Sequence, residues 1–220
     1  FNSEHSDFVI DASGNLYYSV IDNNIVKLFS VTPGGGLIWN TIVLNPSVSA
    51  DIVDLELTSD QNLLLLTQED NGPDISVHVH KFSLTGNLIW DNSTNLPLNT
   101  KFLRIQESNN KVYILGSKNN LTSEQLFIKS YQYSSGQSAS EYTQALSNND
   151  YLKPIDFSID YLGNLIVLSN KQTSTSSFSH IQKFSNTLSL INEIDIENSN
   201  GLHIPKAIRT YMDYCVVVGQ

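Results

Sequence analysis

Cysteine is all but absent: the 220 residues hold one, Cys215. One thiol closes no internal disulfide, so a cross-linked scaffold is excluded and packing has to hold the fold. The apolar run around it predicts a buried, inert thiol. Arginine is nearly as scarce, with two residues against ten lysines, all scattered along the chain. A net charge of −10 and a pI near 4.7 exclude the broad basic surface that a nucleic-acid backbone or an anionic membrane needs. Charged residues are only 15% of the chain, so solubility rests on neutral Asn- and Ser-rich loops. No stretch carries a 3.6-residue apolar period of helix length, and none reads as a signal peptide or a membrane span. Chemical signatures are missing too: there is no Gly-x-Ser-x-Gly, no Gly-x-Gly-x-x-Gly, no phosphate loop and no Cys and His cluster.

What is present is a repeat. Asp7 to Tyr17, Asp54 to Leu64, Phe102 to Tyr113 and Asp156 to Ile166 align, and the first apolar residue after each turn falls at Leu16, Leu63, Val112 and Leu165. The spacings are 47, 49 and 53 residues. Each unit reads as four short strands broken by Gly and Asn, which tolerate the positive φ of hairpin turns. Runs such as Leu63-Leu64-Leu65-Leu66 and Leu165-Ile166-Val167-Leu168 are apolar on both faces, as in a sheet covered by neighbouring sheets. The expectation is therefore an all-β β-propeller of four complete four-stranded blades plus part of a fifth. It is read as one partial domain, residues 1–220, with blades near 7–50, 51–99, 100–152 and 153–203 and a partial blade at 204–220. Because the fifth unit holds two strands, the chain is read as a fragment of a larger ring. Leu65, Val167 and Val217 are expected on buried inner strands.

Two patterns carry a family likeness. One is Asp-x-x-Gly-Asn-hydrophobic-Tyr followed by Lys81-Phe82-Ser83-Leu84-Thr85-Gly86-Asn87-Leu88-Ile89-Trp90; the other is the terminal Ile208 to Gln220. They resemble bacterial β-propeller repeat proteins of the SBBP, delta-60 and quinoprotein-like kinds. The resemblance implies an exported or surface protein, or a lipoprotein, of Bacteroidota type. The third unit departs from the pattern, with Ser138-Ala139-Ser140 where others have Leu-Ile-Trp.

Candidate sites are few. His78 and His80 share a strand face at a metal-ligand spacing, but His180 recurs at the position of His78 with Gln182 replacing His80, which predicts packing. His5 and His203 have no identifiable partner. Asp11-x-Ser13-Gly14-Asn15, Asp160-x-x-Gly163-Asn164 and Asp70-Asn71-Gly72-Pro73-Asp74 lack the spaced carboxylates of a calcium loop and read as turns. Trp39 and Trp90 recur beside apolar neighbours and read as outer-strand packing. Lys27, Lys81 and Lys183 recur as aliphatic stems with the ammonium in water. Asp51, Asp54 and Glu56 could pair as in glycosidases, with little specificity. Asn92-Ser93-Thr94 and Asn120-Leu121-Thr122 match the glycosylation acceptor pattern.

No catalytic, cofactor-binding or metal residue is assigned, and no cofactor is expected. The leading expectation is a non-catalytic interaction module. It would bind a protein partner within a surface or outer-membrane complex through the loops at 68–76, 117–125, 134–150 and 170–179. It would not insert in the membrane or bind nucleic acid. One alternative is carbohydrate binding through Tyr142, Tyr151, Tyr161 and Phe178. Another is part of a quinoprotein or sugar-active propeller enzyme with its site outside this segment.

Overall fold

The computed structural model describes residues 7–46, 49–120, 123–144, 151–173, 176–197, 205–212 and 214–219, and among them there is no helix. The first sheet holds β1 (Asp7–Ile10), β2 (Leu16–Asp22), β3 (Ile25–Val31) and β4 (Leu37–Leu44). The second holds β5 (Ala50–Leu57), β6 (Asn62–Asp70), β7 (Asp74–Ser83) and β8 (Leu88–Pro97). The third holds β9 (Thr100–Ser108), β10 (Lys111–Asn120), β11 (Ser123–Gln132) and β12 (Ser138–Thr143). In the fourth are β13 (Tyr151–Ile159), β14 (Leu165–Gln172), β15 (Ser177–Phe184) and β16 (Leu190–Glu197), and β17 (Pro205–Tyr211) pairs with β18 (Tyr214–Gly219). Strands neighbour one another in chain order within every sheet. This is the all-β propeller pattern of four four-stranded blades and part of a fifth.

Local chemistry explains the repeat. Asn23 and Asn24 take φ of 49° and 66°, the two left-handed positions that a two-residue hairpin turn demands, and Asn109 with Asn110 does the same in the third sheet. The second strands are the buried ones. Leu63 to Leu66 are fully buried, as are Leu165, Val167 and Leu168, because both faces of these strands are covered. Leu65 and Val167 thus lie where expected, whereas Val217 is only partly buried and packs against the Ile166, Leu168, Ile181 and Ile208 cluster. The fourth strand is the exposed edge, and β16 is exposed at every position.

The contacts group the chain into two compact units. The first comprises Phe1–Leu98 with Ile105–Glu107 and Ser135–Gln137, and the second Asn99–Arg104, Ser108–Ser134 and Ser138–Gln220. Tyr17, Val26, Leu28, Leu55, Leu63, Leu65 and Phe82 form the core of the first. In the second, one cluster contains Tyr113, Leu115, Leu126, Ile128, Phe157, Val167 and Phe184. Tyr113 is so deeply placed that burial pushes its hydroxyl pKa up to about 12.

Three of the first strands carry a bulge. Pairing slips between Ile52 and Asp54 on β5, between Pro154 and Asp156 on β13 and between Pro205 and Ala207 on β17. The slip re-aims the next side chain out of its sheet. Asp54 and Asp156 are those next residues, and both reach backbone amides beyond their own strand.

Loop lengths correct the sequence reading. β6 and β7 leave only residues 71–73 between them, so most of 68–76 is strand. β10 and β11 leave only 121–122 of the 117–125 segment, β14 and β15 leave 173–176 of 170–179, and β12 takes Ser138–Thr143 of 134–150. Polar residues there read as loop in the sequence because an exposed strand end alternates without an apolar face to mark it. His5, His203 and Leu121-Thr122 lie outside the described residues.

Candidate functional site

The expected turn residues are turns. Asp11 accepts from the amides of Ser13 and Asn15, from Asn15 Nδ2 and from the Tyr17 hydroxyl, between 2.8 and 3.0 Å. These donors, led by the Asn15 side chain, hold its carboxyl below the usual range, and they occupy the oxygens a cation would need. Asp160 is built alike, taking the amides of Leu162 and Asn164 at 3.0 and 2.8 Å, and it adds an ion pair with Lys183 at 2.8 Å. At 70–74, the Gly72 amide donates to Asp70 at 2.9 Å. No group of three or more His, Cys, Asp or Glu residues with metal-binding geometry occurs among the described residues.

The tryptophans pack as expected, within the first unit. Trp39 Nε1 donates to the Leu84 carbonyl at 2.8 Å, and a Cβ on Gly86 would lie 2.8 Å from its ring. Trp90 covers Gly136 in the same manner. His78 and His80 stack with centroids 5.8 Å apart. Burial, then the neighbouring His78, pushes the His80 pKa down to about 3, so both its state and its place suit packing. Two expectations fail. Lys81 does not keep its ammonium in water: its side chain is 7% exposed and burial pushes its pKa down. Cys215 is exposed, because β18 is the edge of a two-stranded sheet and has cover on one side only.

One row has the residue types of a nucleophilic triad. Ser169 is paired across β14 and β15 with His180, which is paired across β15 and β16 with Asp195. His180 Nδ1 contacts Asp195, whose other oxygen takes Lys171 Nζ at 2.8 Å. Burial pushes the Asp195 carboxyl up, but the hydrogen bonds from Lys171 and His180 outweigh it and leave the pKa lowered. Ser169 and His180 are 0% and 2% exposed, so no substrate carbonyl reaches the Ser169 hydroxyl. Only His180, Asp195 and Lys171 are linked, and the Ser169 hydroxyl takes no part in that network.

An accessible cleft with polar lining lies in the second unit, between β14 to β16 and β17 to β18. A cleft of about 280 Å³ is lined there by Asp160, Tyr161, Lys183, Asn192, Glu193 and Tyr214, among others. Tyr161 and Tyr214 are each 67% exposed. Asp160 feels burial, which raises its pKa, yet the hydrogen bonds from Lys183 and Asn164 and the Lys183 charge win and hold it low. At neutral pH the cleft therefore presents a carboxylate and an ammonium side by side, with tyrosine rings at its edge. Of the tyrosines expected to meet sugar, Tyr161 is here and Tyr151 is exposed on β13, but Tyr142 is spent on an edge-to-face contact with Phe184 at 4.8 Å. Phe178 is half-buried on β15. Lys183, Asn192 and Tyr214 were not legible as site residues. Each sits at a repeat position, and only sheet register brings them to one cleft.

No protein-family model matches the chain. No curated protein matches it either. Solved structures do. A prolyl endopeptidase from a study of inter-domain dynamics in catalysis and specificity superposes with a TM-score of 0.58 at 11% identity, over 93% of this chain and 29% of that one. This chain thus spans under a third of that enzyme's length. The endo-arabinase of Bacteroides thetaiotaomicron gives 0.48 at 9% identity, covering 98% and 93%. Drosophila Plexin A in complex with Semaphorin 1b gives 0.40 at 8%, covering 96% and 71%. Below 0.5 those two carry no argument, and the first shows the propeller fold alone. It does correct one expectation. Reading the chain as not an enzyme rests on like polar residues recurring at like positions instead of converging on one site, yet sheets of this kind are part of an endopeptidase chain, so the fold gives no ground for excluding an enzyme.

Proposed function

We propose that this chain is the saccharide-holding part of a carbohydrate-directed propeller enzyme, with the sugar seated in the cleft at Asp160, Tyr161, Lys183 and Tyr214. The observation that carries this reading is the pairing of two exposed tyrosines with a charged hydrogen-bonding couple in one concave site. Sugar rings present apolar faces to aromatic rings and hydroxyls to paired donors and acceptors, and both requirements are met there. Asp160 is filled by its own turn and by Lys183, so it holds the ammonium in place, and Lys183, 35% exposed, offers its remaining N–H donors to a sugar hydroxyl. An exported or cell-surface setting, a protein partner and kinship with bacterial surface repeats belong to the same proposal, and cell fractionation tests the first.

The test is calorimetric titration with a panel of neutral oligosaccharides, for the native protein and for Tyr214→Ala and Lys183→Gln. Binding by the native protein that weakens at least tenfold in both variants is expected. If no neutral oligosaccharide binds, or if both variants bind like the native protein, this reading falls.

A further inference from the structure

We infer that the first strands of the second unit form a separate binding site for an acidic oligosaccharide. The observation is one of charge. In a chain of net charge −10, five of the twelve Lys and Arg residues stand on three strands: Lys101 and Arg104 on β9, Lys153 on β13, and Lys206 and Arg209 on β17. Scattered in sequence, they stand on the first strands of three successive sheets, and two of them meet at one carboxylate. Within residues 99–104 and the other two strands the one acid is Asp156, so the three segments carry a net charge of +4.

Asp156 organises the cluster. Arg104 Nη1 meets Asp156 Oδ1 at 2.5 Å, and Arg209 Nη1 meets Oδ2 at 2.6 Å. Both arginines of the chain thus converge on one buried carboxylate. A guanidinium has five N–H donors in a fixed fork, and a shared carboxylate uses only part of either set. The Arg209 side chain remains 59% exposed and that of Arg104 28%. The pair is held in place, over-supplied with donors, and open to solvent. That is the arrangement that recognises an oxyanion.

The lysines extend it. Lys101, Lys153 and Lys206 each precede the Arg104, Asp156 or Arg209 of their strand by three residues, and all three are exposed. Three residues of strand span about 10 Å, too far for one carboxylate to reach both levels. A ligand that engages both carries at least two anionic groups. Tyr151, two residues before Lys153 and hence on its face of β13, offers an exposed ring next to that lysine. Aromatic surface plus spaced cations fits a chain of uronate sugars. A nucleic-acid backbone would need a longer basic track than five cations on three strands.

This site does not rest on the cleft, and one experiment separates the two. The protein is titrated with a four-residue oligogalacturonate, with a neutral galactan oligosaccharide of the same length and with a twelve-nucleotide single-stranded DNA. The variants are Lys101→Gln combined with Lys153→Gln, Arg209→Gln, and Tyr214→Ala as the cleft control. Expected are binding of the oligogalacturonate that weakens with added salt, at least a tenfold loss in the double lysine variant with unchanged melting, and a comparable loss in Arg209→Gln. Tyr214→Ala leaves oligogalacturonate binding unchanged. No oligogalacturonate binding, equal affinity for it in the double lysine variant, or tighter binding of the DNA overturns the inference. Any of these leaves the cleft reading to stand or fall on its neutral sugars.

Discussion

The backbone amide of Ile208 donates to Asp156 Oδ2 at 3.0 Å, from the first strand of one sheet to the first strand of the preceding one. The same bond recurs in the first unit, where Leu55 donates to Asp7 at 2.9 Å and Ile105 to Asp54 at 2.7 Å. A carboxylate thus stitches each first strand to the next along the repeat, with one exception. Arg104 stands at the equivalent place in the third sheet and cannot accept, so the Phe157 amide turns to Asp156 itself at 2.9 Å and the arginine pairs with that carboxylate.

Asp156→Ala removes the acceptor and leaves two arginines converging on nothing. It also strips the acceptor from the buried amides of Phe157 and Ile208, at about 1 to 3 kcal/mol each, and the solvent-exposed arginines add less. Asp7→Ala, which removes one amide bond at a half-exposed position, is expected to cost about 1 kcal/mol. Urea unfolding of the two variants checks the ranking, and equal losses would show that the arginines add nothing.

His80 makes stability depend on pH. Its pKa is about 3 in the fold, with the His78 ring and the Thr67 hydroxyl beside it, and 6.5 as the ordinary value. The unfolded chain therefore binds the proton first as pH falls. Its contribution is complete above pH 6.5 and is lost on the way down towards pH 3, at about 1.4 kcal/mol per pH unit. His80→Gln, the residue that Gln182 supplies in the fourth sheet, is expected to flatten the acid limb of a melting-temperature profile.

Gly86→Ala sets a Cβ 2.8 Å from the Trp39 ring at a φ of +82°. The left-handed backbone alone costs about 1 to 2 kcal/mol, and the clash adds to it. Combining the change with Trp39→Ala in a double-mutant cycle is expected to recover the clash and not the backbone cost. Strict additivity would mean that the ring is not the obstacle.

Leu65→Ala empties a fully buried position on β6 and is expected to cost about 2 to 5 kcal/mol. Leu88→Ala, at an exposed position on β8, is expected to stay within about 0.5 kcal/mol. Comparable losses would place the core outside the second strands.

The architecture was written in the chain. Asn and Gly at fixed distances, four apolar runs and a period near 50 residues are local signals, and strand periodicity and turn chemistry act over a few residues. They determined the four-stranded units, the turn roles of Asp11 and Asp160 and the burial of Leu65 and Val167. The sites were decided by what lies apart in sequence. Arg104 and Arg209 are two of many isolated charges until a bulge re-aims Asp156 between them, and Lys183 is one of a repeating set until register sets it beside Asp160. Cys215 and Lys81 show the same limit in reverse, since apolar or polar neighbours do not say which side of a strand another sheet covers. A side chain's environment is set by non-local packing, and that is what the tertiary structure alone decided.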